Sequence, residues 1–359
     1  MSTDEIIEKF IENLHSQILK RLDYEDYLRN LPRSINLSRS TFLTEIKKEF
    51  KNRELVLVLG SGVSVSCGLP DWNKLLQIML SKSFEKETKI SEIHSNLFDN
   101  VFKPNNIITA RYLLKHHNST NFSTALKEAL YPEGITESKF ITEIVNLCTT
   151  NKNSYQLDSI ITYNYDDILE ESIKLKDNSF KFKPIHNNYE SHSNNTLLIY
   201  HVHGYIPRNG TFSNEDRIVF SENSYHSQYS SIYNWQNIIQ INKFRDKTCL
   251  FLGSSLTDPN TRRLLDIANS QTNGNNYHYI IKPRYDFDKI KSKLEVFQND
   301  KNSNAIHRLI SRLDSAGSTN FLIKAIEKFE EEDALSFNIK TLWVKDFNEI
   351  PRVLKKIYE

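Results

Sequence analysis

The chain has 359 residues, enough for one large domain with an insertion or for two domains. Its 46 basic and 45 acidic side chains nearly cancel and are scattered, so charge alone recruits neither nucleic acid nor an anionic membrane. The sequence has no signal-peptide pattern and no apolar run of about 18 residues that could span a bilayer. Its three cysteines, Cys67, Cys148 and Cys249, are isolated, which excludes a disulfide framework and a four-cysteine zinc site. We therefore expect a soluble, cytoplasmic protein.

Residues 1–50 predict a helical N-terminal extension. Apolar side chains recur every three to four positions between residues 4 and 22, which predicts an amphipathic helix with a capping box at Ser2 and Glu5. This helix either packs on its own domain or docks a partner or a sister subunit. A second helix is predicted near Ser40–Lys51.

Residues 51–359 predict an α/β fold with a doubly wound, mostly parallel, Rossmann-like sheet. Continuous apolar runs are typical of strands buried on both faces of a parallel sheet, and the first is Glu54–Leu59. Runs of the same kind are Leu157–Thr162, Leu197–His203, Thr248–Leu252, Tyr277–Lys282 and Ile339–Lys345. Helical patterns lie between most of them, at Asp166–Lys176, Asn260–Asn269 and Ile350–Tyr358. Strands that alternate with helices indicate this fold class.

The stretch at about 73–156 has helical patterns and no convincing strand, so we interpret it as a helical insertion over the ligand cleft. Two Asn- and Ser-rich stretches, His186–Thr196 and Ser270–Asn276, predict surface loops. Three histidines in polar segments are expected to be solvated: His186, His192 and His226.

The first strand ends in a glycine-rich turn, Gly60-Ser61-Gly62-Val63-Ser64. At a strand-to-helix turn, backbone N–H groups and the helix dipole can bind a pyrophosphate, although a tight turn alone needs the same glycines. Val65 stands where the third glycine of the dinucleotide fingerprint would be. The sequence also has no acidic residue at the end of a second strand about 20 residues later, where the ribose-binding residue is expected. These departures disfavour an ordinary dehydrogenase.

Two further strand ends carry candidate catalytic groups. Asn164 can orient a water or a ribose hydroxyl while Asp166 holds the amide; alternatively, Asn164 makes a turn and Asp166 caps the next helix. His203, beside Gly204, is placed for general acid–base catalysis, or is a structural histidine. Strand alternation puts His201 on the same face, and we interpret His201 as a hydrogen-bonded structural residue.

The Thr248–Leu252 strand is followed by Gly253, Ser254 and Ser255, and a glycine with adjacent hydroxyls suits close contact with a ribose or a phosphate. Asp258-Pro259 is predicted to begin the next helix. Four clustered acidic residues are interpreted as a solvated helical face, because companion metal ligands are missing: Asp166, Asp167, Glu170 and Glu171. We expect no metal.

In this order, these motifs resemble the sirtuin superfamily from about Glu54 to the end of the chain. The matching segments are Gly60-x-Gly62-x-Ser64, Gly68-Leu69-Pro70-Asp71-Trp72, Asn164-x-Asp166, His203-Gly204 and Gly253-Ser254-Ser255-Leu256. Sirtuin deacylases carry a four-cysteine zinc module and an arginine where Asn73 stands here, and this sequence has neither. Both departures are similar to the sirtuin-like NAD hydrolases of bacterial antiphage defence, and the nearest resemblance is to the sirtuin domain of the Thoeris NADases.

The resemblance implies that NAD is the substrate and is cleaved to nicotinamide and ADP-ribose without a metal. Asn164 would position water or the nicotinamide ribose, and His203 would act as the general base. The resemblance implies that the pyrophosphate is bound by Gly60, Ser61, Gly62 and Ser64. It implies that the nicotinamide contacts Asp71 and Trp72, and that the adenosine half contacts Gly253, Ser254 and Ser255. Pro70 and Asp166 are also implied binding residues.

Thoeris enzymes continue into a nucleotide-sensing domain, whereas this sequence stops at Glu359. We therefore expect control by homo-oligomerisation or by a separate protein, such as a HerA-like ATPase or another phage sensor. The expected role is an effector that depletes NAD during abortive infection. Two alternatives stay open: a module that senses NAD or ADP-ribose without turnover and gates a partner, and a zinc-free NAD-dependent protein deacylase.

Overall fold

The computed structural model describes residues 35–85, 87–117, 119–150, 156–187, 195–210, 218–272, 277–299 and 314–359. The helix predicted at residues 4–22 and His192 lie outside them, as do parts of the two predicted surface loops. Within the described residues, each helix is too short or too polar to cross a membrane.

A seven-stranded sheet forms the centre of the fold. Its strands are β1 (Leu55–Leu59), β2 (Ser159–Thr162), β3 (Phe182–Ile185), β4 (Leu197–His201), β5 (Thr248–Leu252), β6 (His278–Pro283) and β7 (Ile339–Val344). Across the sheet the order is β3-β4-β2-β1-β5-β6-β7. The neighbouring pairs from β3 through to β6 are all parallel. The predicted doubly wound, mostly parallel sheet is therefore confirmed.

The apolar run of β1 is explained by burial on both faces of the sheet. Leu55, Leu57 and Leu59 belong to the hydrophobic core on one face, and Val56 and Val58 belong to the core on the other. Successive side chains of a strand point to opposite faces. A strand that is apolar at every position therefore requires a covering layer on each side, and helices supply both.

Fourteen α-helices lie within the described residues. They are α1 (Ile35–Lys51), α2 (Ser61–Val65), α3 (Trp72–Phe84), α4 (Ser91–Phe102), α5 (Asn106–His116), α6 (Ser119–Leu130), α7 (Lys139–Thr149), α8 (Ile168–Lys176), α9 (Glu222–Ser230), α10 (Trp235–Asp246), α11 (Pro259–Ser270), α12 (Phe287–Gln298), α13 (Ser315–Ser336) and α14 (Ile350–Tyr358). The helices α3 to α7 occupy the stretch between β1 and β2, which confirms the predicted helical insertion. Side chains of Asp71, Asn105 and Ser138 cap α3, α5 and α7.

The sequence prediction missed one strand and overextended another. β3 includes Pro184 and is only partly buried, so no apolar run marks it, and proline is tolerated because β3 is an edge strand. β4 ends at His201, two residues before the predicted end. The chain turns at Val202 and His203, and Gly204 has a φ of +101°.

Contacts divide the chain into two compact units. The larger comprises Phe42–Lys282 and Ala334–Glu359, and the smaller comprises Met1–Thr41 and Pro283–Asp333. All the sequence motifs lie in the larger unit. The predicted domain boundary at residue 50 stays a prediction.

Each unit has its own stabilising contacts. In the larger unit, Ile46 and Phe50 of α1 are buried in the hydrophobic core. In the smaller unit, Arg284 forms an ion pair with Glu327 of α13, and the backbone N–H of Tyr285 donates to the same carboxylate at 3.4 Å.

The carboxyl end of β1 is the topological switch point of the sheet. β1 lies between β2 and β5, and the chain builds the sheet in opposite directions from it. Open α/β sheets bind ligands at such a point. Because β1, β2, β4 and β5 are parallel, the loops that follow them begin at the same edge. These four loops carry the predicted site residues.

Candidate active site

Three glycines let the loops after β1 and β5 pack backbone against backbone. A Cβ atom on Gly60 would lie 2.6 Å from the carbonyl oxygen of Gly253, and one on Gly62 would lie 2.9 Å from the Gly253 Cα. Gly253 has a φ of +63°, and a Cβ there would lie 2.6 Å from the backbone nitrogen of Val63. Glycine is therefore required for the contact between the loops, whatever the ligand.

The contact between the loops after β1 and β5 also engages two backbone N–H groups of the glycine-rich turn. The N–H groups of Gly60 and Gly62 donate to the carbonyls of Leu252 and Gly253, each at 2.9 Å. In the short helix α2 that follows, Ser61 is exposed. An anion at this turn would therefore meet Ser61 first. The predicted pyrophosphate cradle stays a prediction.

Asn164 is held by four hydrogen bonds. Its side-chain Nδ2 donates to the carbonyl oxygen of Gly60 at 3.0 Å and to the hydroxyl of Ser64 at 2.9 Å. Its backbone N–H donates to the Thr162 hydroxyl at 3.1 Å, and its backbone carbonyl accepts from Nδ1 of His201 at 3.2 Å. None of these bonds engages the side-chain oxygen Oδ1. That oxygen is available to accept a hydrogen bond from a water or a ribose hydroxyl.

Asp166 is buried and holds the Asn164 amide through Ser64. The Ser64 hydroxyl donates to Oδ2 of Asp166 at 2.7 Å and accepts from Asn164. The other oxygen of Asp166 accepts from the backbone N–H of Ile168, the first residue of α8, at 3.2 Å. Burial raises the pKa of Asp166 to about 6 despite these two hydrogen bonds, and the nearby Glu170 adds to the rise.

The predicted solvated acidic face is wrong for three of its four residues. Asp166, Asp167 and Glu170 are buried, whereas Glu171 is about half exposed. Oδ2 of Asp167 accepts from the backbone N–H of Arg208 at 2.6 Å, and burial raises the pKa of Asp167. Protein groups pair with at least one oxygen of each of these three carboxylates, whereas Oε2 of Glu170 has no hydrogen-bond partner among the described residues. Across the part of the chain that the structure describes, no group of three His, Cys, Asp or Glu side chains is placed to hold a metal ion.

His203 is buried, and its Nε2 has no hydrogen-bond partner among the described residues. Its ring packs edge-on against Tyr163 and Tyr225, with centroid distances of 4.9 and 6.1 Å. Burial lowers the pKa of His203, and the carboxylate of Asp258 partly opposes this effect. The imidazole is therefore neutral at pH 7. A neutral ring with an unengaged nitrogen can accept a proton, as a general base must.

The predicted placement of His201 and His203 on one face is wrong, because β4 ends at His201 and the chain turns before His203. His201 is buried, and its Nε2 lies 2.7 Å from Oε1 of Glu170. Its Nδ1 faces the backbone carbonyl of Asn164. These contacts agree with the interpretation of His201 as a hydrogen-bonded structural residue, but sequence reasoning identified neither partner.

The segment Pro70-Asp71-Trp72 leads into α3. The Asp71 side chain accepts a backbone N–H of the first turn at 2.8 Å and so caps the helix. The Trp72 ring lies 4.9 Å from that of Phe220 and 6.3 Å from that of Tyr165. Trp72 therefore belongs to an aromatic cluster, and the predicted nicotinamide contacts of this segment stay predictions.

The loop after β5 is strained and carries hydroxyl groups. The Ser254 hydroxyl accepts from the backbone N–H of Leu256 at 3.2 Å, and the hydroxyls of Ser255 and Thr257 are 2.7 Å apart. Leu256 has a φ of +58°, a left-handed conformation that is uncommon outside glycine and clusters at functional sites. The predicted adenosine contacts of Gly253, Ser254 and Ser255 stay predictions.

Sequence reasoning missed the tyrosines that cover His203. Tyr225 on α9 donates its hydroxyl to Asp258 at 2.8 Å. Asp258 also caps α11 by accepting the N–H of Thr261 at 2.7 Å, as predicted. Tyr163 and Tyr225 are far apart in the chain, so no local pattern marks them. Of the three histidines expected to be solvated, His226 is exposed, whereas His186 is half-buried against Tyr205.

The fold and the site together define a class of protein. A parallel, doubly wound sheet carries an asparagine and a buried histidine in the loops that follow two neighbouring strands beside its switch point. Residues 158–306, which include Asn164, His203 and Gly253, match the family described as a SIR2-like domain. This match confirms the predicted resemblance to sirtuins.

Two relatives are similar over most of the chain. The NAD(+) hydrolase ThsA of Acinetobacter baumannii (strain 532279) is 23% identical over 327 residues, which cover 88% of this chain and 55% of the relative. The NAD(+) hydrolase ThsA of Enterococcus faecium is 21% identical over 326 residues, which cover 89% of this chain and 58% of the relative. The chain thus spans a little over half the length of these relatives.

Proposed function

We propose that the protein is an NAD+ glycohydrolase that cleaves NAD to nicotinamide and ADP-ribose. The observation that carries the proposal is the combination of a tethered Asn164 and a buried, neutral His203 beside the switch point of a SIR2-like domain. Both relatives are named NAD(+) hydrolase ThsA, which supports the same substrate. NAD is the substrate, and the proposed reaction includes no metal.

The chemistry makes modest demands on the protein. The bond between C1′ of the ribose and the nicotinamide nitrogen breaks, and nicotinamide leaves with the electron pair as a neutral molecule, so it requires no protonation. The ribose carries the developing positive charge. The site must hold that ribose, exclude bulk water and admit one positioned water.

The described side chains can meet these demands. Oδ1 of Asn164 accepts a hydrogen bond from the attacking water or from a ribose hydroxyl, because both Nδ2 hydrogens are engaged by Gly60 and Ser64. As the water oxygen bonds to C1′, Nε2 of His203 takes the released proton. Burial keeps His203 neutral and therefore ready to act as a base at pH 7.

The test is nicotinamide release from NAD by the purified protein, followed by chromatography. His203→Ala and Asn164→Ala are each expected to slow release about 100-fold or more, the usual contribution of a positioned acid or base. His226→Ala, at an exposed histidine of α9, is the matched control and is expected to keep the wild-type rate. Thermal unfolding confirms that each variant is folded.

Full activity in His203→Ala and Asn164→Ala contradicts the proposed mechanism. Release that requires an added acetylated peptide would instead support a deacylase. NAD binding, measured by calorimetry, without any release would support the second candidate, a sensing module. That candidate is favoured by one observation: His203 is only 6% exposed beneath its tyrosines, so this conformation shields the catalytic ring.

We further propose that the protein works in the cytoplasm as an antiphage effector that depletes NAD in abortive infection. The resemblance to sirtuin-like antiphage hydrolases supports this role. Control would come from homo-oligomerisation or from a separate protein, such as a HerA-like ATPase or another phage sensor. The net charge of +1 gives no reason to expect direct nucleic-acid binding.

Self-association is supported by one face of α4. It exposes four aliphatic side chains at helical spacing, Ile90, Ile93, Leu97 and Val101. The uncharged side chains of Asn96 and Asn100 lie on the same helix and are exposed. Leu97→Glu is expected to lower the mass measured by light scattering, whereas Asn96→Glu is the flanking control. A wild-type protein that is monomeric at all concentrations contradicts this proposal.

A further inference from the structure

A buried histidine–glutamate pair lies behind Asn164. His201 is the last residue of β4 and Glu170 is in the first turn of α8, and their side chains are only 1% and 2% exposed. Nε2 of His201 lies 2.7 Å from Oε1 of Glu170, and Nδ1 lies 3.2 Å from the backbone oxygen of Asn164. The pair therefore links β4 and α8 to the loop that carries the proposed catalytic amide.

The partners determine which way the His201 ring donates. A carbonyl oxygen can only accept a hydrogen bond, so Nδ1 carries a hydrogen and donates to Asn164. Nε2 faces the Glu170 carboxyl group, which holds the ring in this orientation. A partner that fixes one imidazole nitrogen thereby sets what the other nitrogen does.

The bond from His201 completes the restraint of Asn164. The backbone N–H of Asn164 is held by Thr162 and its carbonyl by His201, so the peptide groups on both sides of its Cα are anchored. The bonds of Nδ2 to Gly60 and Ser64 then orient the side chain. With both backbone and side chain held, Oδ1 points in one direction.

The pair acts behind the reacting groups. A cavity of about 10 Å³, lined by Ser64, Asp166, Glu170 and His201 among others, lies beside the pair. A space of that size holds about one water molecule and no nicotinamide. His201 and Glu170 therefore affect substrate chemistry only through Asn164 and its neighbours.

We propose that His201 is a positioning residue for Asn164, and that Glu170 keeps His201 in its donating orientation. This inference rests on the proposed NAD cleavage. A shift of a positioned catalytic group by about 1 Å can cost about 100-fold in rate. Loss of the His201 donor therefore lowers kcat, while the affinity for NAD, which depends on other loops, stays nearly unchanged.

The experiment compares two variants that both lack the Glu170 carboxyl group. The double variant His201→Phe with Glu170→Leu replaces both partners by apolar groups, which avoids a buried unpaired charge and preserves folding. Glu170→Gln places an amide beside Nε2 that can donate to it, so Nδ1 keeps its hydrogen and still donates to Asn164. Glu171→Gln, one residue along α8 and about half exposed, is the matched control.

The double variant is expected to lose about 10-fold to 100-fold in kcat with a change in NAD Kd below about twofold. Glu170→Gln is expected to stay within about threefold of the wild-type kcat, and Glu171→Gln to match the wild type. A wild-type kcat in the double variant overturns the inference. So does an equal loss in Glu170→Gln, because that result would assign the effect to the Glu170 carboxyl group and not to the His201 donor.

Hydrogen exchange separates this inference from the proposed function. The backbone N–H of Asn164 is expected to exchange at least about 10-fold faster in the double variant than in the wild type, Glu170→Gln or Glu171→Gln, because its loop has lost an anchor. If the wild type cleaves no NAD, the proposed function fails. The exchange rates still test whether His201 anchors the loop of Asn164. Equal exchange in all four proteins overturns the inference.

Discussion

Different interactions stabilise the loops on the two sides of the switch point. On the β5 side, Gly60, Gly62 and Gly253 meet backbone against backbone. On the β2 and β4 side, buried carboxyl and imidazole groups support the loop of Asn164, among them Asp166 and His201. The first contact depends on the volume at Cβ and on the backbone angle φ, which pH does not change. The second depends on protonation and on hydrogen bonds. One added methyl group should therefore break the first side, and a change of pH should alter the second.

The largest expected effect is that of Gly253→Ala. A Cβ at Gly253 would lie 2.6 Å from the backbone nitrogen of Val63, and the φ of +63° is itself unfavourable for alanine. We expect the free energy of unfolding to fall by about 3 kcal/mol or more, from backbone strain and overpacking together. Gly134→Ala is the matched control, because Gly134 has a φ of +82° but nothing within 4 Å of the added Cβ. Its loss should be about 1 kcal/mol. Equal losses in urea denaturation would show that the loop contact contributes nothing.

The next effect is a pH dependence that Asp166→Asn should remove. Burial raises the pKa of Asp166 from its ordinary value of 3.8 to about 6, so the folded protein binds this proton more tightly than the unfolded chain does. The stability that Asp166 contributes is therefore fully present below about pH 4 and is lost as the pH rises through about 6. Relative to Asp166→Asn, the wild-type free energy of unfolding should fall by on the order of 2–3 kcal/mol between pH 4 and pH 7. Urea titrations at both pH values measure this difference. A constant difference would contradict the prediction, and the loss in Gly253→Ala should stay the same at both values.

The smallest expected effect is that of Ser64→Ala. This substitution removes the donor to Asp166 and an acceptor of the Asn164 amide. We expect a loss of about 1–2 kcal/mol at pH 7, the usual cost of leaving buried polar groups unpaired. The loss should shrink below pH 5, where Asp166 is protonated. Ser61→Ala, at an exposed hydroxyl of the same turn, should change stability by less than about 0.5 kcal/mol. A loss for Ser64→Ala that is equal at both pH values would contradict the proposed link to Asp166.

Much of the sheet could be predicted because its signal is local. β1 is apolar at every position, and β5 is apolar at every position after Thr248, as expected for strands buried on both faces. β3 escaped prediction because an edge strand with Pro184 needs no such run. Alternation failed at His203 because β4 ends at His201 and the chain turns at Val202 and His203.

Only those residues of the candidate site that belong to a sequence motif could be predicted. Asn164 and His203 stand out because each follows a strand at the carboxyl edge of the sheet. Their supporting residues do not, because Glu170 and His201 meet across two elements, and Tyr225 reaches His203 from a separate helix. The glycines were interpreted as room for a ligand. The glycines contact each other only because β1 and β5 are neighbours in the sheet. No local sequence pattern predicts that these two strands pair.

The central place of β1 in the sheet also determines when the candidate site can assemble during synthesis of the chain. The partner strand β5 begins about 190 residues after β1 ends. At roughly 5–20 residues per second, the ribosome needs about 10–40 seconds to cover that distance. Until then β1 lacks a neighbour on one edge, which exposes an apolar strand to aggregation or to chaperones. The loops of the switch point cannot meet before β5 arrives. An incomplete chain that ends before β5 therefore has no assembled site.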